Sequence, residues 1–154
     1  MMEKKYSTID WENLTFSFRE TDRMYISNCK QGEEWGIGKM QDFQNLSISP
    51  AAGVLNYGQG LFEGMKAYVQ PDGGVSLFRP EANAKRFAKS AARIALPEMP
   101  VDFFVQTIEA LVKADKDWVP KKIGESLYLR PFMIATEVGL GVRPSNHATY
   151  VLIA

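Results

Sequence analysis

Between Arg23 and Asn28, Met24 and Ile26 alternate with Tyr25 and Ser27, the period of two that a strand with unlike faces produces. Gly32 to Gly38 supplies turn residues, and a second extended segment is predicted around Phe43 to Ile48. Lys66 to Tyr68 runs through Pro71-Asp72-Gly73-Gly74 into Val75-Ser76-Leu77-Phe78, the pattern of a hairpin whose turn residues tolerate positive φ. The period then changes. From Pro80 to about Ala95, Phe87, Ala91, Ile94 and Ala95 fall on one stripe while Arg86, Lys89 and Arg93 fall on another, which predicts an amphipathic helix opened by proline. A second helix is predicted from Asp102, as N-cap, to Ala114, burying Phe104, Ile108, Leu111 and Val112, with Asp115 to Pro120 ending it. Ser126 to Thr136 and Ala148 to Ala154 are β-rich and separated by a loop containing Gly139 and Gly141. Strands, two helices, then strands is the order of an α+β fold rather than a doubly wound one.

The chain has 154 residues, 45% hydrophobic and 23% charged, enough for one domain that buries roughly 70% of its unfolded surface. No apolar run is long enough to span a bilayer. Basic and acidic residues balance at 18 each, so no overall field recruits nucleic acid or an anionic membrane, and any anion site must be local. Cys29 and His147 are the only residues of their kinds, which excludes a disulfide framework and a zinc-ligand cluster and argues against a histidine-based triad. His147 follows Pro144-Ser145-Asn146 in a polar turn and receives no role. The N-terminal residues lack the character of a secretory or transit peptide, so a cytoplasmic location is expected. Gly58-Gln59-Gly60 opens like a dinucleotide fingerprint, but Gly64 comes one residue late and no parallel strand–helix unit surrounds it.

Three places carry chemistry. The run Asn56 to Tyr68 combines aromatics with Gly58, Gly60 and Gly64, residues suited to a small-molecule pocket wall and equally to a turn leading into an aromatic strand. In Ser126 to Phe132, two-residue periodicity sends Tyr128 and Arg130 to one face and Leu127 and Leu129 to the other. A guanidinium beside a phenol can grip a carboxylate, or the pair can be an ordinary exposed strand face. Arg86, in an early helical turn, suits a phosphate or a solvated basic face shared with Lys89 and Arg93. Leu140-Gly141-Val142 is an apolar loop tip that either caps the core or inserts into a neighbouring subunit.

Taken together and in order, Tyr57-Gly58, Leu61 to Ala67, Leu77-Phe78-Arg79-Pro80, Asp117-Trp118-Val119-Pro120, Ser126 to Pro131 and Leu140-Gly141-Val142 resemble the N-terminal domain of branched-chain amino-acid aminotransferases, pyridoxal-phosphate enzymes of fold type IV. The likeness runs from about Trp11 to Ala154. It implies that residues 1–154 form one small N-terminal α+β domain with a largely antiparallel sheet and two main helices. It also implies a homodimer, pyridoxal 5'-phosphate held between this domain and a larger C-terminal one, and amino acids and 2-oxo acids as substrates. By position, Arg86 matches the arginine that holds the cofactor phosphate. Phe62, Gly64, Tyr128 and Arg130 match substrate-pocket residues, with the arginine and tyrosine serving carboxylates and the phenyl ring the branched side chain. Tyr57, Leu140 and Val142 match residues delivered into the partner subunit's pocket. The three polar groups of Arg86, Tyr128 and Arg130 are expected to converge on one cavity.

The family places its Schiff-base lysine in the C-terminal domain, and none of the eleven lysines here matches it. Lys66 sits where the family has a basic residue of the small domain. The resemblance therefore implies no catalytic residue in this chain, a missing C-terminal domain, and inactivity of the chain by itself. The reading from another class is a non-catalytic small-domain module for ligand binding or dimerisation.

Overall fold

The computed structural model describes residues 5–154; residues 1–4, on which most of the N-terminal reading rests, lie outside the described residues. In chain order the elements are β1 (Arg23–Lys30), β2 (Lys39–Asp42), α1 (Gly53–Tyr57), β3 (Gly60–Phe62), β4 (Met65–Val69), β5 (Val75–Leu77), α2 (Pro80–Arg93), α3 (Val101–Ala114), β6 (Leu127–Ala135) and β7 (His147–Ile153). The sheet runs β2-β1-β7-β6-β4-β5, with β3 also against β6, and every pairing is antiparallel. This is the α+β class expected from the pattern. Among the described residues no helix is long and apolar enough to cross a membrane.

Strict alternation on β6 decides what each sheet face does. Leu127, Leu129, Pro131, Met133 and Ala135 are buried, while the residues between them are half-buried. Leu127, Leu129, Met133 and Ala135 join Tyr25, Met65, Ala67 and Tyr150 beneath Phe87 of α2 and Phe104, Ile108 and Leu111 of α3. Phe87 meets Phe104 at 5.2 Å between ring centres and Tyr150 edge-on at 5.7 Å. Each such ring contributes roughly 1.5–3 kcal/mol through its removal from water. The two helices thus cover one face, and Tyr128, Arg130 and Phe132 project from the other.

The β4–β5 hairpin forms where predicted, with Gly73 at φ 82° donating its N–H to the Gln70 carbonyl, a conformation other residues adopt at a cost. Other expectations need correction. The second strand lies at Lys39–Asp42, and Phe43 to Ile48 is not part of the ladder. The residue capping α3 is Pro100, not Asp102; proline already sets the required φ, so Asp102 falls inside the first turn, where its charge favours the helix dipole. The short helix α1 was not predicted. Its five residues give too few turns for a periodic signal, and Gly58 ends it at φ 65°, as the glycine after a helix commonly does.

β3 and β4 share one register against β6: Phe62 opposes Phe132, and Met65 opposes Leu129. Continuing that register sets Glu63 opposite Pro131 and Gly64 opposite Arg130. Glu63 donates its N–H to the Pro131 carbonyl at 2.9 Å, and proline has no N–H with which to return the bond. The ladder is interrupted there, at the centre of the motif singled out in the sequence.

Candidate functional site

The interruption places three consecutive residues against three polar side chains. Phe62 lies under the Arg130 guanidinium, whose carbon is 4.3 Å from the ring centre, a favourable cation–π geometry. Gly64 abuts Tyr128: a Cβ there would collide with the phenol hydroxyl and sit 3.1 Å from Cζ. Arg130 donates from Nη2 and Nε to the Tyr128 hydroxyl at 2.9 and 3.3 Å. Both side chains stand on the sheet face away from the helices, as the two-residue period requires. Among the described residues no carboxylate forms an ion pair with Arg130, so this half-buried cation rests only on a neutral hydroxyl and aromatic rings. Such a group is set up to receive an anion. Lys66 pairs with Tyr128 across the strands and adds a second cation to that face.

The third contact is on the strand's other side. Glu63 accepts two bonds from Arg86 of α2, from Nε at 3.0 Å and from Nη2 at 2.9 Å. Asn83, one turn earlier and buried, donates to the same carboxylate at 2.9 Å and to the Gly64 carbonyl at 3.2 Å. The Glu63 side chain is only 12% exposed and that of Arg86 60%. The carboxylate raises the Arg86 pKa, first through the hydrogen bonds and then through its charge, and the guanidinium is cationic with or without that pair. Arg86 is the seventh residue of α2, beyond the first turn whose amides lack partners. The guanidinium therefore acts without those amides.

A cavity of about 340 Å³ opens on the Tyr128 side, lined by Trp11, Phe16, Phe18, Tyr128, Arg130 and Ile153 among others. Arg86, Phe62 and Gly64 do not line it. The expected convergence of three polar groups on one cavity is therefore not met: Tyr128 and Arg130 share it, whereas Arg86 stands on the other side of the strand and is linked to them only through the Glu63–Gly64 backbone. Phe16 meets Tyr128 edge-on at 5.4 Å; Leu14, Phe16 and Phe18 alternate with Thr15, Ser17 and Arg19, a period of two that marks an extended segment but does not show which strand it will meet.

Tyr57, Leu140 and Val142 form a separate group. The Tyr57 hydroxyl donates to the Leu140 carbonyl, and Gly139 donates to the Ala51 carbonyl at 3.0 Å, tying the β6–β7 loop to α1. Glu137 holds the loop base, accepting from Arg143 at 2.7 Å and from the Asn146 N–H; that N–H is the main cause of its lowered pKa. Leu140 and Val142 remain 70% and 86% exposed, which excludes the core-capping alternative. His147 is exposed, burial raises the Cys29 pKa, and the described residues contain no cluster suited to a metal ion.

No protein-family model matches the chain. Over 143 residues, 92% of its length, it is 50% identical to a probable branched-chain-amino-acid aminotransferase of Streptomyces coelicolor. Over 144 residues it is 48% identical to a chloroplastic branched-chain amino acid aminotransferase of Humulus lupulus. It spans 40% and 35% of those proteins. The backbone is similar to the branched-chain amino acid aminotransferase of Escherichia coli, with TM-score 0.63 and 21% identity over 84% of this chain and 40% of that one. It is also similar to a branched-chain amino acid aminotransferase complexed with N-(5'-phosphopyridoxyl)-L-glutamate, with TM-score 0.66 and 23% identity over 85% of this chain and 40% of that one. The resemblance read from the six motif blocks is borne out, and the fold is that of the N-terminal domain of fold type IV aminotransferases.

Proposed function

We propose that this chain is the small-domain portion of a branched-chain amino-acid aminotransferase that moves an amino group between leucine, isoleucine or valine and 2-oxoglutarate with pyridoxal 5'-phosphate. The observation that carries the reading is the juxtaposition of two guanidinium groups and a phenol on Phe62, Glu63 and Gly64. The donor set fits a phosphate ester: the bonds from Arg86 to Glu63 use Nε and Nη2 and leave Nη1 for a phosphate oxygen. Arg130 and Tyr128 receive substrate carboxylates, and Phe62 supplies an apolar wall for the branched side chain. That combination lets one pocket serve a hydrophobic amino acid and an acidic one. When bound, the cofactor supplies the electron sink for the transfer. Tyr57, Leu140 and Val142 complete the pocket of a second copy in a homodimer. The Schiff-base lysine lies outside these residues, and the chain alone is inactive.

The test is amino transfer from leucine to 2-oxoglutarate by the complete polypeptide that carries these residues, read as glutamate formed. Arg130→Ala is expected to raise the KM for both substrates about tenfold or more, from a charge-assisted bond of roughly 1.5–3 kcal/mol, at an almost unchanged unfolding midpoint. Binding of cofactor without transfer from leucine, isoleucine or valine refutes the enzyme reading in favour of a non-catalytic module. Equal losses of stability and activity in Arg130→Ala refute the role of that residue.

A further inference from the structure

Glu63 itself touches no ligand in the site described so far, yet it is the residue through which α2 and the broken strand meet. Its backbone is fixed by the Pro131 carbonyl. One carboxylate oxygen binds Arg86 Nε, and the other binds Arg86 Nη2 and Asn83. A side-on pair of this kind holds the guanidinium plane at two points and directs its remaining edge away from the carboxylate. Arginine otherwise carries large rotamer freedom, and Arg86 is mostly exposed, so binding an anion with an unheld side chain would require that freedom to be lost at the moment of binding.

We propose that Glu63 is a positioning residue that pre-orients Arg86 toward the phosphate of a phosphorylated ligand, with Asn83 fixing the carboxylate. The inference rests on the reading of Arg86 as the phosphate-binding residue. It has an opposite that the same contacts permit: a carboxylate facing a guanidinium also cancels charge that the phosphate would feel. Orientation and neutralisation predict effects of different sign when the carboxylate becomes an amide. Glu63→Gln keeps the shape and one acceptor but removes the charge and the second hold. If orientation dominates, phosphate binding weakens; if neutralisation dominates, it strengthens.

Equilibrium dialysis of the complete polypeptide with pyridoxal 5'-phosphate and with pyridoxal separates the phosphate contribution from the rest of the ligand. Glu63→Gln is expected to weaken binding of the phosphate ester about fivefold while leaving pyridoxal affinity unchanged. In an Arg86→Ala background the same change is expected to do nothing. Tighter or unchanged binding of the ester, equal weakening of both ligands, or persistence of the effect without Arg86 each overturns the proposal. Failure of the unaltered protein to prefer the ester over pyridoxal overturns the assignment of Arg86 itself, and this inference with it. Should Glu63→Gln not fold, Asn83→Ala carries the same expectation with a smaller selective loss, and absence of that loss overturns the proposal equally.

Discussion

Asp115 offers a measurement in which direction and size both follow from the structure. It ends α3, its side chain is buried, and Oδ2 accepts the Arg23 N–H at 3.2 Å. Oδ1 has no partner among the described residues. Burial pushes its pKa from 3.8 to about 6, against the opposing pull of Thr21 and the Arg23 N–H. Below pH 3.8 the folded and unfolded chains both hold the proton, and above about 6 neither does. Between them only the folded chain holds it, so stability is lost as pH rises through that window. At about 1.4 kcal/mol per pH unit, the loss amounts to about 3 kcal/mol by neutral pH. Asp115→Asn removes the titration and keeps the shape; any cost of burying the amide is constant with pH. Urea unfolding followed by tryptophan fluorescence, in part from the buried Trp118, gives the stability of both proteins from about pH 4 to 7.5. The expected result is a variant that gains about 2.5 kcal/mol on the parent across that range, the first part of the loss lying below pH 4. Curves that stay parallel would show that burial does not perturb this carboxyl.

Two further substitutions probe packing. Gly64→Ala places a methyl group where the Tyr128 hydroxyl lies, so the phenol must swing away and break its bonds from Arg130. The expected cost is about 1–3 kcal/mol by urea unfolding, with a raised KM for amino acid in the complete polypeptide, and unchanged values of both would contradict the geometry. Tyr150→Phe deletes a hydroxyl that shares a 2.9 Å bond with Thr107 in the core. Because Thr107 also donates to the Phe104 carbonyl at 2.7 Å, its proton keeps a partner, and the expected loss is only about 1 kcal/mol in the same assay. A loss several times larger would mean that the hydroxyl organises the aromatic cluster rather than completing one bond.

The legible parts of the fold are those in which side-chain period and buried face coincide. Alternation on β6 assigned Leu127, Leu129, Tyr128 and Arg130 to the faces they occupy, and the stripe of Phe87 and Ala91 assigned the buried side of α2. β2 was displaced because Lys39–Asp42 is polar at both ends and half-buried between, so its membership comes from pairing with β1 rather than from any apolar alternation. α1 escaped for want of length. These elements depend on tertiary context that overrides local propensity.

Residue chemistry marked the site, but its geometry required the partner strand. The sequence contains Glu63, Arg86 and Pro131 at spacings with no motif value, and only the register reveals that the proline faces the glutamate and interrupts the ladder. That interruption explains why a glycine follows: with the ladder broken, the backbone at Gly64 comes close enough to Tyr128 that no Cβ fits. It also explains why the two arginines occupy different sides of one strand, since consecutive residues of an extended chain face opposite ways. Phe62 and Gly64 serve the Arg130 side, and Glu63 between them serves Arg86. A ligand touching both guanidinium groups must therefore cross the strand edge at the break, where no side chain on Gly64 obstructs it.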